Sequence, residues 1–282
     1  MKRILIVDGS NLLFQMFFGM PARITNQNGK AIQGTLGFVG ALLKIIRRIE
    51  PTHMAVLFDG EHENDRTELD TDYKANRVDY SEMPEEENPF SQLPDIYAAL
   101  DYLGIKHMET STCETDDWIA AYALTLGREE KTEIVISSFD SDFFQLISEN
   151  VSILRYRGDN TVICTPAYIK EKLGIEPAQY TDFKSLVGDT ADNIKGADKV
   201  GPKTAALLLE EFGTLEAVIE NPEKIRKPSI RASVIRNSER LRTNYQLIRL
   251  ENMVELPFEL DDMEYCYNGI TTNDVLKGIG LR

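Results

Sequence analysis

Nine acidic side chains fall into five short groups along the chain: Asp8; Asp59; Glu114, Asp116 and Asp117; Asp140 and Asp142; Asp189 and Asp192. Asp140 and Asp142 are two apart and can face one side of an extended segment. Asp189 and Asp192 are three apart and share a face of a helix or turn. Taken singly, each is an ordinary cap or turn residue. Taken jointly, they point to one chemistry. Carboxylates brought close together repel, and their pKa values rise; hard cations remove that cost. Mg²⁺ keeps several waters and needs only one or two carboxylates. Nine exceed the needs of one ion, so two or more are expected, Mg²⁺ or Mn²⁺. Two such ions about 4 Å apart activate water and stabilise a leaving oxygen, which suits phosphodiester hydrolysis.

The elements that must position these groups are legible as apolar runs. Ile4–Val7 runs into Asp8, Met54–Phe58 into Asp59, and Ile134–Ile136 into Ser137, Ser138, Phe139 and Asp140. Helical spacing separates them at Phe38, Leu42, Leu43, Ile45, Ile46 and Ile49, and at Ile96, Leu100 and Leu103 before a stop at Gly104. The expectation is an α/β fold, a mainly parallel twisted sheet with helices on both faces. Its functional crevice lies beyond the carboxyl ends of the strands, where Asp8, Asp59 and Asp140 fall. Glu114, Asp116 and Asp117 open a helix that continues through Trp118, with Thr115 as the expected N-cap. Trp118 itself reads as a core residue. From about Tyr168 the pattern turns helical, including Thr204–Phe212 and Ile230–Leu250. A boundary near residue 170 divides a 1–170 unit from a helical 171–282 unit.

The 282 residues carry a net charge of −15, which argues against a nucleic-acid partner at first sight. The distribution is uneven. Between Glu61 and Asp95 there are 12 acidic and three basic residues, whereas Lys195–Arg249 holds 11 basic against seven acidic, a local net of +4. The acidic stretch reads as a loop with short helices, and its basic residues are Arg66, Lys74 and Arg77. On a helix Lys74 and Arg77 would share a face, either as a phosphate clamp or as a solvated pair. Val200-Gly201-Pro202-Lys203-Thr204 reads as a tight turn into a helix, either an anion site or an ordinary packing corner. Cys113, Cys164 and Cys266 are scattered, which fits neither a disulfide framework nor a zinc site and points to a reducing cytoplasm. No run approaches the ~20 apolar residues of a membrane helix. The first apolar stretch is cut at Asp8 and reads as a strand rather than a signal peptide. His53, His62 and His107 are isolated.

Several short segments occur in a fixed order over roughly residues 4 to 250. They are Val7-Asp8-Gly9-Ser10-Asn11, Phe58-Asp59, Tyr73-Lys74-Ala75-Asn76-Arg77, Glu114-Thr115-Asp116-Asp117 and Asp140-Ser141-Asp142. Leu186-Val187-Gly188-Asp189 follows with Asp192-Asn193, and then Gly196 and Val200-Gly201-Pro202-Lys203-Thr204-Ala205. This order resembles the 5′–3′ exonuclease family: the nuclease domain of bacterial DNA polymerase I, its stand-alone relatives, the bacteriophage 5′ nucleases and, more distantly, the flap endonucleases.

The resemblance implies a PIN-like nuclease domain with an arch at about 61–95, followed by a helix–three-turn–helix DNA-binding region. It implies one ligand group of Asp8, Asp59, Glu114 and Asp116, with Asp117 close by, and a second of Asp140, Asp142, Asp189 and Asp192. Lys74, Arg77 and Asp116 become the catalytic candidates. Arg66, Tyr73, Lys74 and Arg77 would grip the 5′ end, with Tyr73 stacked on a base, and Gly201, Lys203 and Thr204 would hold a duplex phosphate. A K⁺ ion would take backbone carbonyls of Leu186, Val187, Lys195, Ala197 and Val200. The implied activity is hydrolysis of DNA at 5′ flaps, forks or ends by a monomer, with RNA–DNA hybrids as a second substrate, in replication and repair. Two departures stand out: the family usually has Gly where Phe139 stands, and Ser81–Asn88 is acidic where a DNA-facing arch would be more basic. A DNA-binding protein without catalysis and a metal-dependent phosphatase are the rival classes.

Overall fold

The computed structural model describes residues 1–20, 23–60, 69–76, 78–80, 83–111, 113–250 and 254–282. Six strands form one sheet: β1 (Lys2–Asp8), β2 (His53–Phe58), β3 (Lys106–Glu109), β4 (Thr132–Ser137), β5 (Val151–Arg155) and β6 (Val162–Cys164). Their spatial order is β3-β2-β1-β4-β5-β6, with every pairing parallel except the last. The β-branched runs sit at the centre because both faces are covered there. Side chains alternate between two apolar layers. Ile4, Ile6, Leu57, Ile134, Ile136 and Ile153 face one. Leu5, Val7, Val56, Phe58, Val135 and Leu154 face the other.

The second layer is closed by α1 (Gly9–Gly19), α2 (Gln33–Ile49) and α3 (Leu93–Leu103), the last ending at Gly104 with φ 67°. The first is closed by α4 (Thr115–Leu126) and by the helical region that follows the sheet. That region comprises α5 (Pro166–Leu173), α6 (Tyr180–Val187), α7 (Pro202–Phe212), α8 (Leu215–Glu220) and α9 (Pro228–Ile248). Leu209, Val218, Val234 and Leu241 share one continuous apolar cluster with Ile4 and Ile136, so the core of the helical region is continuous with that of the sheet.

The structure differs from the sequence-based expectation in three places. β3, β5 and β6 were not foreseen; β3 is a short polar edge strand with Met108 exposed, and β6 has three residues. The stretch around Tyr73–Asn76 is a turn rather than a helix, and Lys74 takes φ 54°. The last segment, expected to follow the helical region, returns to the sheet. Tyr265 N–H donates to Thr52 O at 2.9 Å, and α10 (Thr272–Gly278) packs on α2 and α3.

Tyr122 anchors this return. Its hydroxyl donates to Phe258 O at 2.9 Å and accepts from Phe258 N–H at 3.0 Å, and its ring is buried in α4. Tyr122→Phe leaves both backbone groups of Phe258 without this partner. The expected cost is about 1–3 kcal/mol, read as a lowered Tm with unchanged secondary structure; an unchanged Tm contradicts the anchoring role.

Candidate metal centre

β1, β2 and β4 are parallel neighbours in register, with Val7 opposite both Val56 and Ser137, so their carboxyl ends open on one edge. Asp8 ends β1 and caps α1. Its Oδ1 accepts the Asn11 N–H at 3.0 Å, and its Oδ2 accepts the Ser138 hydroxyl at 2.7 Å. The chain must turn here tightly against β2: a Cβ on Gly9 would lie 2.5 Å from the Phe58 ring. Asp59 follows β2, and its own N–H donates to Ser10 Oγ at 2.9 Å. Its Oδ1 accepts the Thr115 N–H at 3.3 Å, at the start of α4. Thr115 is therefore not the cap. Glu114 holds the N-cap position, without a side-chain cap bond, and Thr115 is the first helical residue. The amides of this helix start face a carboxylate of the cluster. Asp116 and the buried Asp117 occupy the first turn.

Asp140 links this group to a second. Its N–H donates to Ser138 Oγ at 2.9 Å, and its Oδ1 accepts the Asp142 N–H at 2.8 Å. Asp142 opens a 3₁₀ turn through Leu146. Asp189 and Asp192 arrive from the helical region on a small hairpin of β7 (Gly188–Asp189) and β8 (Ile194–Lys195). That hairpin closes only because Gly188 takes φ 89° and lies where a Cβ would be 2.5 Å from Gly196 N. Oxygens of Asp142, Asp189 and Asp192 all lie within 4.8 Å of one another. Asp142 Oδ1 is buried with no hydrogen-bond partner. An orphaned carboxylate oxygen between two other carboxylates fits a hard oxygen-seeking cation.

The electrostatics agree with the geometry. Burial, then the facing Asp59, pushes the Asp8 carboxyl up to about 7, with Asp140 adding to it. Burial raises Asp116 well above the carboxylate range, with Asp140, Asp59 and Asp8 contributing. Asp140 is raised by burial and then by Asp192 and Asp189. Burial and Asp140 push Asp142 up to about 8 against the opposing charge of Lys184. Asp8, Asp59, Asp116 and Asp140 thus feel one another, and Asp140, Asp142, Asp189 and Asp192 form the adjoining set.

Lys74 stands between the two. Its Nζ pairs with Glu114 Oε1 at 2.5 Å, its N–H donates to Asp192 O at 3.1 Å, and its charge opposes the rise at both Asp116 and Asp140. The turn carrying it is tied to the Asp192 loop through Asn193 Nδ2 on Asp72 O at 2.9 Å. Tyr73, expected to stack on a base, is instead buried against Ile194, Leu247 and Ile248. Its ring lies 4.8 Å from Lys74 Nζ. Arg66 and Arg77 lie outside the described residues. Gly201, Pro202 and Lys203 are exposed at the start of α7, where no side chain caps the helix.

Sequence reasoning assigned no role to four residues that hold the carboxylates. Ser10 and Ser138 bridge the strand ends. Asn11 Oδ1 accepts the Phe139 N–H at 3.0 Å. Lys184 pairs with Asp189. Ser10 and Asn11 follow Asp8 directly, a signal present in the sequence. Ser138 and Lys184 are fixed by register and by helix position, which no local pattern reveals.

The raised carboxyls set the sign of a pH effect in metal-free protein. A carboxyl with a higher pKa folded than unfolded binds its proton more tightly when folded. Its contribution is complete below the unfolded value, near 4, and is lost as pH rises through the folded value. Asp142→Asn removes that loss. In chelator the variant is expected to melt above the parent at pH 8.5, with the gap closing by pH 5. A gap that widens on acidification contradicts the assignment.

Two family models cover nearly all of the chain. One described as the 5′–3′ exonuclease N-terminal resolvase-like domain matches residues 3–174, and one described as the 5′–3′ exonuclease C-terminal SAM fold matches 175–269. DNA polymerase I of Streptococcus pneumoniae is 34% identical over 94% of this chain, and the thermostable DNA polymerase I of Thermus thermophilus 34% identical over 92%. The chain spans about 30% of the length of these polymerases. Among solved structures, a bacteriophage T5 protein co-crystallised with metal ions superposes with TM-score 0.71 at 23% identity, covering 88% of this chain and 89% of that one. The catalytic core of Rad2 in complex with DNA substrate superposes with TM-score 0.60 at 17% identity, covering 99% of this chain and 85% of that one. The fold and the ordered acidic segments agree with the matched models: the chain belongs to the 5′–3′ exonuclease family.

Proposed function

We propose that this chain is a metal-dependent, structure-specific 5′ nuclease that hydrolyses phosphodiester bonds of DNA at 5′ flaps, forks or ends. One observation carries the reading. Carboxylates from three strand ends, a helix start and a hairpin of the helical region converge in two adjoining groups with Lys74 between them. Asp8, Asp59, Glu114, Asp116 and Asp117 would hold one divalent ion, Mg²⁺ or Mn²⁺, and Asp140, Asp142, Asp189 and Asp192 another. Such ions, when bound, lower the pKa of water and offset charge on the phosphoryl oxygens.

The chain's own residues do the rest. Lys74 places an ammonium between the carboxylate groups, positioned to stabilise charge that grows on a scissile phosphate. The Asp59 contact to the Thr115 amide, and the hydroxyls of Ser10 and Ser138, hold the strand-end carboxylates in place before substrate arrives. Arg66 and Arg77 would add to the grip on the 5′ end. Gly201, Lys203 and Thr204 present an uncapped helix start to a duplex phosphate, a contact that reads no sequence.

A K⁺ ion at the carbonyls of Leu186, Val187, Lys195, Ala197 and Val200 belongs to the same reading. Leu186 O accepts Ala197 N–H at 2.9 Å, and Lys195 O accepts Asn244 Nδ2 at 3.0 Å. Each oxygen keeps a second lone pair for a cation. RNA–DNA hybrids as a second substrate, a monomeric state, a cytoplasmic location and a division near residue 170 complete the proposal. Among the described residues, no helix is long and apolar enough to cross a membrane.

End-labelled 5′-flap DNA incubated with Mg²⁺ is expected to yield short 5′-phosphorylated products. Asp116→Ala should abolish cleavage, and Lys74→Ala should lower kcat by about 10²–10³-fold. Intact flap DNA at every metal concentration, alongside hydrolysis of a small phosphomonoester, would replace this reading with the phosphatase.

A further inference from the structure

Phe139 stands directly before Asp140, and two guanidinium groups lie over its ring: Arg155 at 5.2 Å and Arg157 at 5.7 Å from the centroid. Arg155 is committed to the interior. Its Nη2 donates to Phe139 O at 2.8 Å, and it also lies 5.5 Å from the Phe144 ring. Arg157 is different. It is exposed at the β5–β6 hairpin, and no described carboxylate forms an ion pair with it.

Its backbone is nevertheless fixed. Arg157 N–H donates to Thr161 Oγ1 at 3.0 Å, and Arg157 O accepts the Asn160 N–H at 3.0 Å. The preceding Tyr156 O accepts Gln15 Nε2 of α1 at 2.7 Å. The same Phe139 lines an open cleft of about 310 Å³ together with Asn11, Asp140, Ser141, Asp189 and Asp192. Three of its lining residues, Asp140, Asp189 and Asp192, are carboxylates that repel a polyanion. The aromatic wall carries an arginine with no carboxylate partner among the described residues. A guanidinium held over a ring face can keep N–H groups free for an oxyanion.

The geometry points to Arg157 as a backbone-phosphate contact at the lip of the metal cleft, with Phe139 as the platform that holds it. This rests on the nuclease reading above and adds a specificity-determining pair to it. The contact would hold the strand beside the scissile bond by charge and shape, without reading bases. It also gives the bulky residue before Asp140 a function: the ring seats a cation that glycine could not.

The test uses the full chain and fluorescent 5′-flap DNA. Binding is read by anisotropy in the Asp116→Ala background, and cleavage in the otherwise unaltered chain. Arg157→Ala should weaken binding about 5- to 10-fold and reduce the slope of log Kd against log[salt] by about 0.7–0.9. KM should rise more than kcat falls. Arg157→Lys should keep the salt slope but recover only part of the affinity. Phe139→Gly should weaken binding as Arg157→Ala does, and the double variant should be no weaker than either single one. An unchanged salt slope in Arg157→Ala overturns the proposal. So does additivity of the two substitutions, or a fall in Tm and in Mn²⁺ affinity that accounts for the binding loss. If flap DNA binds with the expected pattern but the unaltered chain never cuts it, the nuclease reading fails and the phosphate contact stands.

Discussion

Mutual repulsion among carboxylates is the constraint on which the rest of this structure depends. Acidic groups crowded into a partly dry edge resist ionisation, as the raised carboxyls of Asp8, Asp116, Asp140 and Asp142 show. The fold offsets part of that cost with its own donors. A helix start faces Asp59, Ser138 donates to Asp8, Lys184 pairs with Asp189, and Lys74 pairs with Glu114. What remains, most plainly the partnerless Asp142 Oδ1, is what divalent cations would neutralise.

The architecture follows from the need to hold such a cluster rigidly. A sheet covered on both faces fixes three parallel strand ends on one edge, within a core of fully buried Ile, Leu and Val side chains. The helical region completes the centre from below. Its Gly188–Lys195 hairpin is bound to the rest through Ile194, which packs with Tyr73, Leu247 and Ile248, and through Lys74 and Asn193. Neither part carries the acidic cluster alone, because Asp189 and Asp192 come from the helical region and meet Asp142 there.

Much of this is written in local sequence. The apolar runs into Asp8, Asp59 and Asp140 predict the strand ends because a buried parallel strand has little else it can be. Two helices of the second half, α7 and α9, are equally legible from their period, and their observed ends fall within two residues of the expected ones. The polar edge strand β3 is not legible, since its pairing comes from a neighbour and not from its own composition. Tyr73 misled for a related reason. An aromatic beside two basic residues looks like a stacking platform, yet here it fills a gap against Ile194 and Leu247 that exists only in the folded chain. Thr115 has the chemistry of a cap, but Glu114 takes that position while the Thr115 amide serves Asp59. The supporting hydroxyls and Lys184 depend on strand register and on a distant hairpin, so they became visible only in three dimensions.

The chain places an aromatic residue, Phe139, and two arginines, Arg155 and Arg157, beside its acidic cluster. The most direct measurement is anomalous diffraction from crystals soaked in Mn²⁺. The account predicts peaks flanked by Asp8, Asp59 and Asp116 and by Asp140, Asp142, Asp189 and Asp192. Manganese-soaked crystals without density there, and with those side chains turned apart into solvent, would contradict it.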